Sequence, residues 1–328
     1  MKVALVGDRP PPFGGISVHV EALAKELAWQ GHEVELLDTA RHGTMFHFGA
    51  KLASLAARGF VLHVHTSGHN PKSWALVAAC GIARAPWRRS AVTLHSGLLP
   101  GYLAGMPNRQ RIARAALAGF GRIVAVSTAV RESLASAGVT RAKILELPAF
   151  WPGSVQPGLP SDAALAIRQR FTPLLSAAIA PSPVYGLRVL ASALALLRKQ
   201  RPELGCVVFG PASKELVREE DDAIVALGEL AHADALAVMR QSDLFVRPTT
   251  IDGDALSVRE ALSLGVRTVA SDAATRPQGV QLFRTGDPFA LAAAIELALA
   301  QPRPEPHGDD ALPKLLQIYR DLSRVKVA

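Results

Sequence analysis

Short β-branched apolar runs alternate along the whole chain with alanine- and leucine-rich stretches of helical period, and the cycle runs twice. In the first pass, "KVALVG", "HEVELLD", "FVLHVHTS", "SAVTLHS" and "RIVAVS" read as strands, each followed by a helical segment such as "SVHVEALAKELAWQG". A proline-rich stretch, "LPAFWPGSVQPGLPS", interrupts the pattern. The cycle then restarts with "LLSAAIA", "GCVVFG", "AIVALGE", "LFVRPT" and "RTVASD" as strands, and with "YGLRVLASALALLRKQRP", "HADALAVMRQS" and "ALSVREALSLG" as helices. Strands separated by helices cannot pair as hairpins, so the pattern predicts parallel sheets covered by helices on both faces. We therefore expect two doubly wound α/β domains facing each other across a cleft, residues 1–158 and 159–305. A final helix in 306–328 is assigned to the first domain. Ligands of such sheets bind beyond the carboxyl ends of the strands, and the loops there are where chemistry is to be sought.

The length of 328 residues fits two domains of roughly 150 residues each. No run approaches the ~18–20 apolar residues of a membrane span. The opening "MKVALVGD" is too short for a secretory signal and reads as a first buried strand. Cys80 and Cys206 lie far apart, in different expected domains, and read as reduced, buried filler in a cytoplasmic protein.

Charge is distributed unevenly. Residues 1–158 carry 17 Lys and Arg against 8 Asp and Glu, whereas the remainder is nearly balanced at 19 against 20. Between Asp38 and Glu132 there are twelve basic residues, Arg84, Arg88, Arg109, Arg111 and Arg114 among them, and no acidic one. Such a field attracts nucleic acid, an anionic membrane face or a phosphorylated ligand. Aromatic residues make up only 5% and are not interleaved with the arginines, which argues against nucleic acid. In "NRQRIARAALAGFGRI" the spacing puts Ile112, Ala115, Ala116 and Phe120 near one helical face and the arginines elsewhere. That suits a helix lying on anionic lipid, at the inner face of the cytoplasmic membrane; an ordinary solvated surface helix is the competing reading.

Two loops stand out. Gly14 and Gly15, between the first strand and the first helix, lack a Cβ and permit close approach of a ligand or of neighbouring backbone. The GxGxxG dinucleotide fingerprint is absent. "DGDALSVREALSLG" places Asp252 and Asp254 immediately before a helix, where unpaired N–H groups and the macrodipole favour an anion. Neither a nucleophile elbow nor a pair of carboxylates facing each other across a substrate is evident.

"GGISVHVEALAKELAWQGHEVELL", "AVSTAVRESLASAGV" and "SDLFVRPTTIDGDALSVREALSLGVRTVASD" together resemble the retaining glycosyltransferases of family 4, over nearly the whole chain. "RPT", "DGD", "VREAL", "RPQGV" and the "YG" at 185 and 186 are similar to a bacterial surface-polysaccharide sub-group. The resemblance implies the GT-B fold, two Rossmann-like domains, and a nucleotide-diphosphate sugar as donor with no cofactor and no metal. It implies a lipid-linked or oligosaccharide acceptor on the first domain. That family carries a glutamate, seven residues, and a second glutamate; Asp252 stands at the first position and Glu260 at the second. Glu260 is thus expected on the ribose hydroxyls of the donor and Asp252 on hydroxyls of its sugar. The amides of Ala255, Leu256 and Ser257 are expected on the diphosphate. Asp254 is open between helix capping and donor contact.

Ala180 and Tyr185 occupy the positions where the family carries an arginine and a lysine for the diphosphate, so Arg247 or Arg276 is expected to supply the missing cation. His95 matches a family histidine that faces the donor sugar. His63 and His65 fall on one side of their strand, a geometry a metal could use, although the resembled family needs none for this step. The departures keep two alternatives open: a nucleotide-sugar-binding protein without catalysis, and a nucleotide-sugar epimerase on the same fold.

Overall fold

The computed structural model describes residues 1–11, 13–39, 41, 45–84, 89–217 and 222–325. Arg88 lies outside the described residues, as does the side chain of Arg84. The chain forms two compact units, Met1–Phe150 with Asp310–Ala328, and Trp151–Asp309. The division falls at 150 where the sequence pattern suggested 158, because the linker packs with the second unit: Gly158 N donates to Ala233 O at 2.9 Å.

Unit 1 contains β1 (Lys2–Gly7), α1 (Gly15–Trp29), β2 (Glu33–Asp38), α2 (Met45–Ala57), β3 (Val61–Thr66), α3 (Pro71–Arg84), β4 (Ser90–Leu94), α4 (Leu99–Leu103), α5 (Pro107–Leu117), β5 (Arg122–Ala125), α6 (Thr128–Ser136) and β6 (Ile144–Glu146). The sheet order is β2-β1-β3-β4-β5-β6, all parallel. The chain leaves β1 to one side for β2 and crosses to the other for β3, so its switch point lies between β1 and β3. Helices on both faces bury the central strands, and every residue of β3 is buried, its two histidines included.

Unit 2 contains α7 (Asp162–Arg170), β7 (Leu174–Ala178), α8 (Leu187–Leu197), β8 (Gly205–Phe209), α9 (Ser213–Leu216), β9 (Ile224–Ala226), α10 (His232–Gln241), β10 (Leu244–Arg247), α11 (Leu256–Ser263), β11 (Arg267–Ser271), β12 (Val280–Phe283) and α12 (Pro288–Leu299). Its parallel order is β12-β11-β10-β7-β8-β9, with the switch point between β7 and β10. Gly186, left-handed at φ +71°, is required there: a Cβ would lie 1.9 Å from Pro248 O, so the loops after β7 and β10 meet backbone to backbone.

The last helix, α13 (Leu312–Ser323), belongs to unit 1, where Tyr319 is fully buried and its hydroxyl lies 2.6 Å from His63 Nδ1. In α5 the buried face is Ala113, Ala116 and Leu117. This corrects the expected face: Phe120 and Ala116 are buried, but Ile112 and Ala115 are exposed beside Arg109, Arg111 and Arg114. Helix α3 packs against α5, and Gly81 and Gly119 let the chains approach closely there.

Candidate functional site

The loops at the switch point of unit 2 gather the sequence-predicted acidic and basic residues. Asp252 accepts from Arg276 Nη1 at 2.9 Å, Arg247 Nε at 3.1 Å, the Thr249 hydroxyl at 3.0 Å and the Gly253 amide at 3.1 Å. Burial acts to raise this carboxyl, and the Arg247 and Arg276 guanidiniums outweigh it, holding it below the usual carboxylate range. Two cations against one anion leave the cluster net positive. Arg276 also donates through Nε to Ser271 O, and its side chain is only 2% exposed. Arg247 is 13% exposed, and its guanidinium stacks 5.1 Å from the centre of the Tyr185 ring. The Tyr185 ring therefore supports a cation.

The donors from Arg276, Arg247 and Thr249 converge on Oδ2, whereas Oδ1 holds the Gly253 amide and a longer contact to Arg247 Nη2 at 3.4 Å.

Asp254 is not the cap of α11. The N-cap is Ala255, without a side-chain cap bond, while Asp254 accepts from Arg259 Nε at 2.6 Å; Arg259 reaches Asp309 at 2.9 Å as well. An arginine five residues ahead offers a buried carboxylate a full counter-charge, more than one amide supplies. Burial, outweighing Arg259, raises the Asp254 carboxyl. Leu256 and Ser257 form the first turn of α11, where the orphan amides of a helix start lie. One turn further, Glu260 is buried, with Oε1 2.6 Å from His232 Nε2 at the start of α10. Asp252, Arg247 and Arg276 are thus brought together, with Asp254 and Glu260 in adjoining pairs.

Unit 1 holds the remaining predicted residues. Gly14 is the N-cap of α1, with its amide donating to Ser17 Oγ at 3.0 Å. Neither glycine is demanded by the backbone: Gly14 has an ordinary φ of −115°, and a Cβ on Gly15 would meet nothing within 4 Å. Nor does close packing within the unit demand them. His95, just past β4, places Nε2 3.1 Å from His65 Nδ1, and His19 of α1 packs against both rings. His63 lies 4.0 Å from His65, centre to centre, with its nitrogens bonded to Tyr319 and to Thr93. Burial lowers all four: His19 to about 4, His63 to about 3, and His65 and His95 well below 6.5. They form a neutral, hydrogen-bonded cluster. Among the described residues no group of three or more His, Cys, Asp or Glu is placed to hold a metal ion.

Residues 173–301, inside unit 2, match the family model for glycosyl transferases group 1. No curated protein sequence matches the chain. Among solved structures, HepE of Anabaena in complex with UDP and glucose superposes with a TM-score of 0.68 at 18% identity, covering 99% of this chain and 93% of that one. Sucrose-phosphate synthase from Thermosynechococcus elongatus gives a TM-score of 0.65 at 17% identity, covering 98% and 96%. The UDP-forming α,α-trehalose-phosphate synthase of Burkholderia xenovorans, in complex with glucose-6-phosphate, gives 0.67 at 14%, covering 98% and 95%. The fold is that of the GT-B glycosyltransferases. In GT-B terms, the family model falls on the unit that carries the Asp252 cluster.

Sequence reading missed His232, Thr249 and Asp309. His232 opens its own helix 28 residues before Glu260, and only the packing of α10 beside α11 joins them. Thr249 and Asp309 carry no motif. The pairing of Arg259 with Asp254 depends on the turn before α11.

Proposed function

We propose that the protein is a metal-independent, retaining glycosyltransferase that moves a sugar from a nucleotide diphosphate to a lipid-linked or saccharide acceptor in polysaccharide or glycolipid assembly. The observation that carries this reading is buried Glu260, held by His232 on one oxygen, one turn beyond a helix start that adjoins the net-positive Asp252–Arg247–Arg276 cluster. In this reading Glu260 Oε2 accepts from the donor ribose. The first amides of α11 and Arg247 receive the diphosphate, whose charge grows as the glycosidic bond breaks. Arg276 acts through Asp252, which fixes both guanidiniums. His95, Gly14 and Gly15 are assigned to the donor by family resemblance. HepE in complex with UDP-glucose supports a uridine donor. The acceptor hydroxyl takes the place of the leaving diphosphate on the same face of the sugar.

The exposed Arg109, Arg111 and Arg114 of α5, with Ile112 and Met106 also exposed, support docking on an anionic membrane surface. No helix among the described residues is long and apolar enough to cross a membrane.

A second reading, nucleotide-sugar binding without transfer, is favoured by one observation: the Asp252 oxygens are engaged by the protein itself, and Ala180 and Tyr185 replace the family's basic pair. A thermal-shift series with UDP-, GDP- and ADP-sugars, followed by product analysis, tests both. A shift with UDP-glucose together with slow donor hydrolysis supports transfer; a shift without turnover supports the second reading. Indifference to every nucleotide sugar removes both.

A further inference from the structure

After α12 the chain turns back along α11 before it leaves unit 2. Arg303 Nε donates to Gly265 O at 2.8 Å, the His307 amide to Leu262 O at 3.2 Å, and Arg259 Nη1 to Asp309 Oδ2 at 2.9 Å. The partners in α11 and just past its end, 265, 262 and 259, step back three residues at a time. Residues 303–309 therefore run antiparallel to the helix along one of its faces. The approach is close: Gly265 is left-handed at φ +65°, and a Cβ there would lie 2.8 Å from Pro304 O. Asp309 is the last residue of the unit, and α13 begins three residues later at Leu312.

The first two contacts end on backbone carbonyls and read as packing. The third differs, because its cation is shared. Arg259 holds two carboxylates, Asp254 through Nε at 2.6 Å and Asp309 through Nη1. The Asp254 side chain is 7% exposed, in the loop that opens α11; that of Asp309 is 72% exposed, at the end of the returning segment. One guanidinium cannot neutralise both. Burial raises the Asp254 carboxyl against Arg259, and the charge of Asp252 raises it further, while Arg276 acts the other way. An anion arriving at the first turn of α11 acts on Asp254 as Asp252 does: it disfavours the charged form. Arg259 is then left with Asp309 as its one full counter-charge. An exposed pair is worth little while its cation is shared, so the Asp309 contact is the one with room to tighten.

We propose that Arg259 is a positioning residue that couples the loop before α11 to residues 303–309: an anion bound at that loop tightens the Arg259–Asp309 contact, and with it the chain leading to α13. Naming that anion as the donor diphosphate rests on the glycosyltransferase reading.

Amide exchange of the full chain is followed by NMR with and without saturating UDP, and UDP affinity is measured by calorimetry on the same samples. UDP is expected to slow exchange of the His307 amide by up to about fivefold, the worth of an exposed ion pair. Asp309→Asn changes an exposed side chain; it should bind UDP as the parent does and lose the slowing. Arg259→Gln should lose it as well, and Arg259→Lys, which keeps the charge, should recover part of it. Packing alone predicts the same slowing in all three variants. The proposal is overturned if UDP binds and exchange is unchanged or faster, or if Asp309→Asn retains the slowing; the glycosyltransferase reading survives either result. If UDP does not bind the parent, that reading falls, and inorganic pyrophosphate, which carries the same anion, replaces UDP in the exchange measurement. With no slowing by pyrophosphate, the coupling falls too.

Discussion

Arg276 Nη1 lies 2.9 Å from Asp252 Oδ2, and the guanidinium that makes this bond is all but sealed from solvent. Arg247 shares the same carboxylate from a more exposed position. The two arginines are therefore not equivalent. Removing Arg276 strips a buried anion of one of its two cationic partners and should destabilise the protein by less than the ~3–5 kcal/mol that an uncompensated buried charge costs. Arg276→Ala is expected to lower the urea midpoint markedly, whereas Arg247→Ala lowers it less and reduces donor turnover more. Unchanged kinetics in both variants would remove these arginines from catalysis.

Glu260 separates a structural from a functional carboxylate. Glu260→Gln keeps the shape and a hydrogen-bonding oxygen but loses the charge. Charge-assisted bonds are worth about 1.5–3 kcal/mol, so calorimetry should show UDP binding weakened between about tenfold and a hundredfold. A Gln variant that binds UDP like the parent would confine Glu260 to packing beside His232.

Acidification should weaken unit 1 through its buried histidines. His19 and His63 are lowered by burial to about 4 and about 3, and His65 and His95 are lowered as well. Between these values and the ordinary 6.5, the unfolded chain binds protons that the folded chain does not. Stability is therefore full above pH 6.5 and falls as pH drops toward 4, by about 1.4 kcal/mol per pH unit for each histidine. Urea midpoints at pH 7 and pH 5 measure the slope, and His63→Phe should reduce it. A flat profile over that interval contradicts the neutral cluster. Asp252 acts separately and lower: its depressed carboxyl contributes stability above pH 3.8 that is lost as pH falls further.

The proposed membrane docking would depend on charge at long range. Co-sedimentation with vesicles containing phosphatidylglycerol should fall with added salt, because the Debye length shrinks from about 10 Å at 0.1 M to about 3 Å at 1 M. Arg109→Glu combined with Arg111→Glu should abolish it. Equal binding to neutral vesicles, or indifference to salt, would count against the basic face.

Parallel α/β architecture was legible because the period of apolar residues depends on neighbours a few positions away. The edge strands β6 and β12 are not among the strands read from the sequence, although β9, as short as β6, was legible in "AIVALGE". The helix after Asp252 was legible for the same local reason, whereas the roles expected of Asp252 and Glu260 rest on the family resemblance. Its cap was not: Asp is a common N-cap residue, and only the arrangement of the turn reveals that Arg259 claims Asp254. Likewise the face of α5 depended on which side α3 approached, and Ile112 was left outside.

By itself, the sequence determined the order of strands and helices, the pause between two cycles, the one-sided charge and the loops that carry carboxylates. Tertiary structure alone decided which charges meet. Helical and strand periods are local, while Arg276 reaches Asp252 across 24 residues, Glu260 reaches His232 across 28, and His63 reaches Tyr319 across 256. Those pairings follow from how strands order themselves in a sheet, and burial then turns them from solvated charges and rings into fixed, strongly interacting groups.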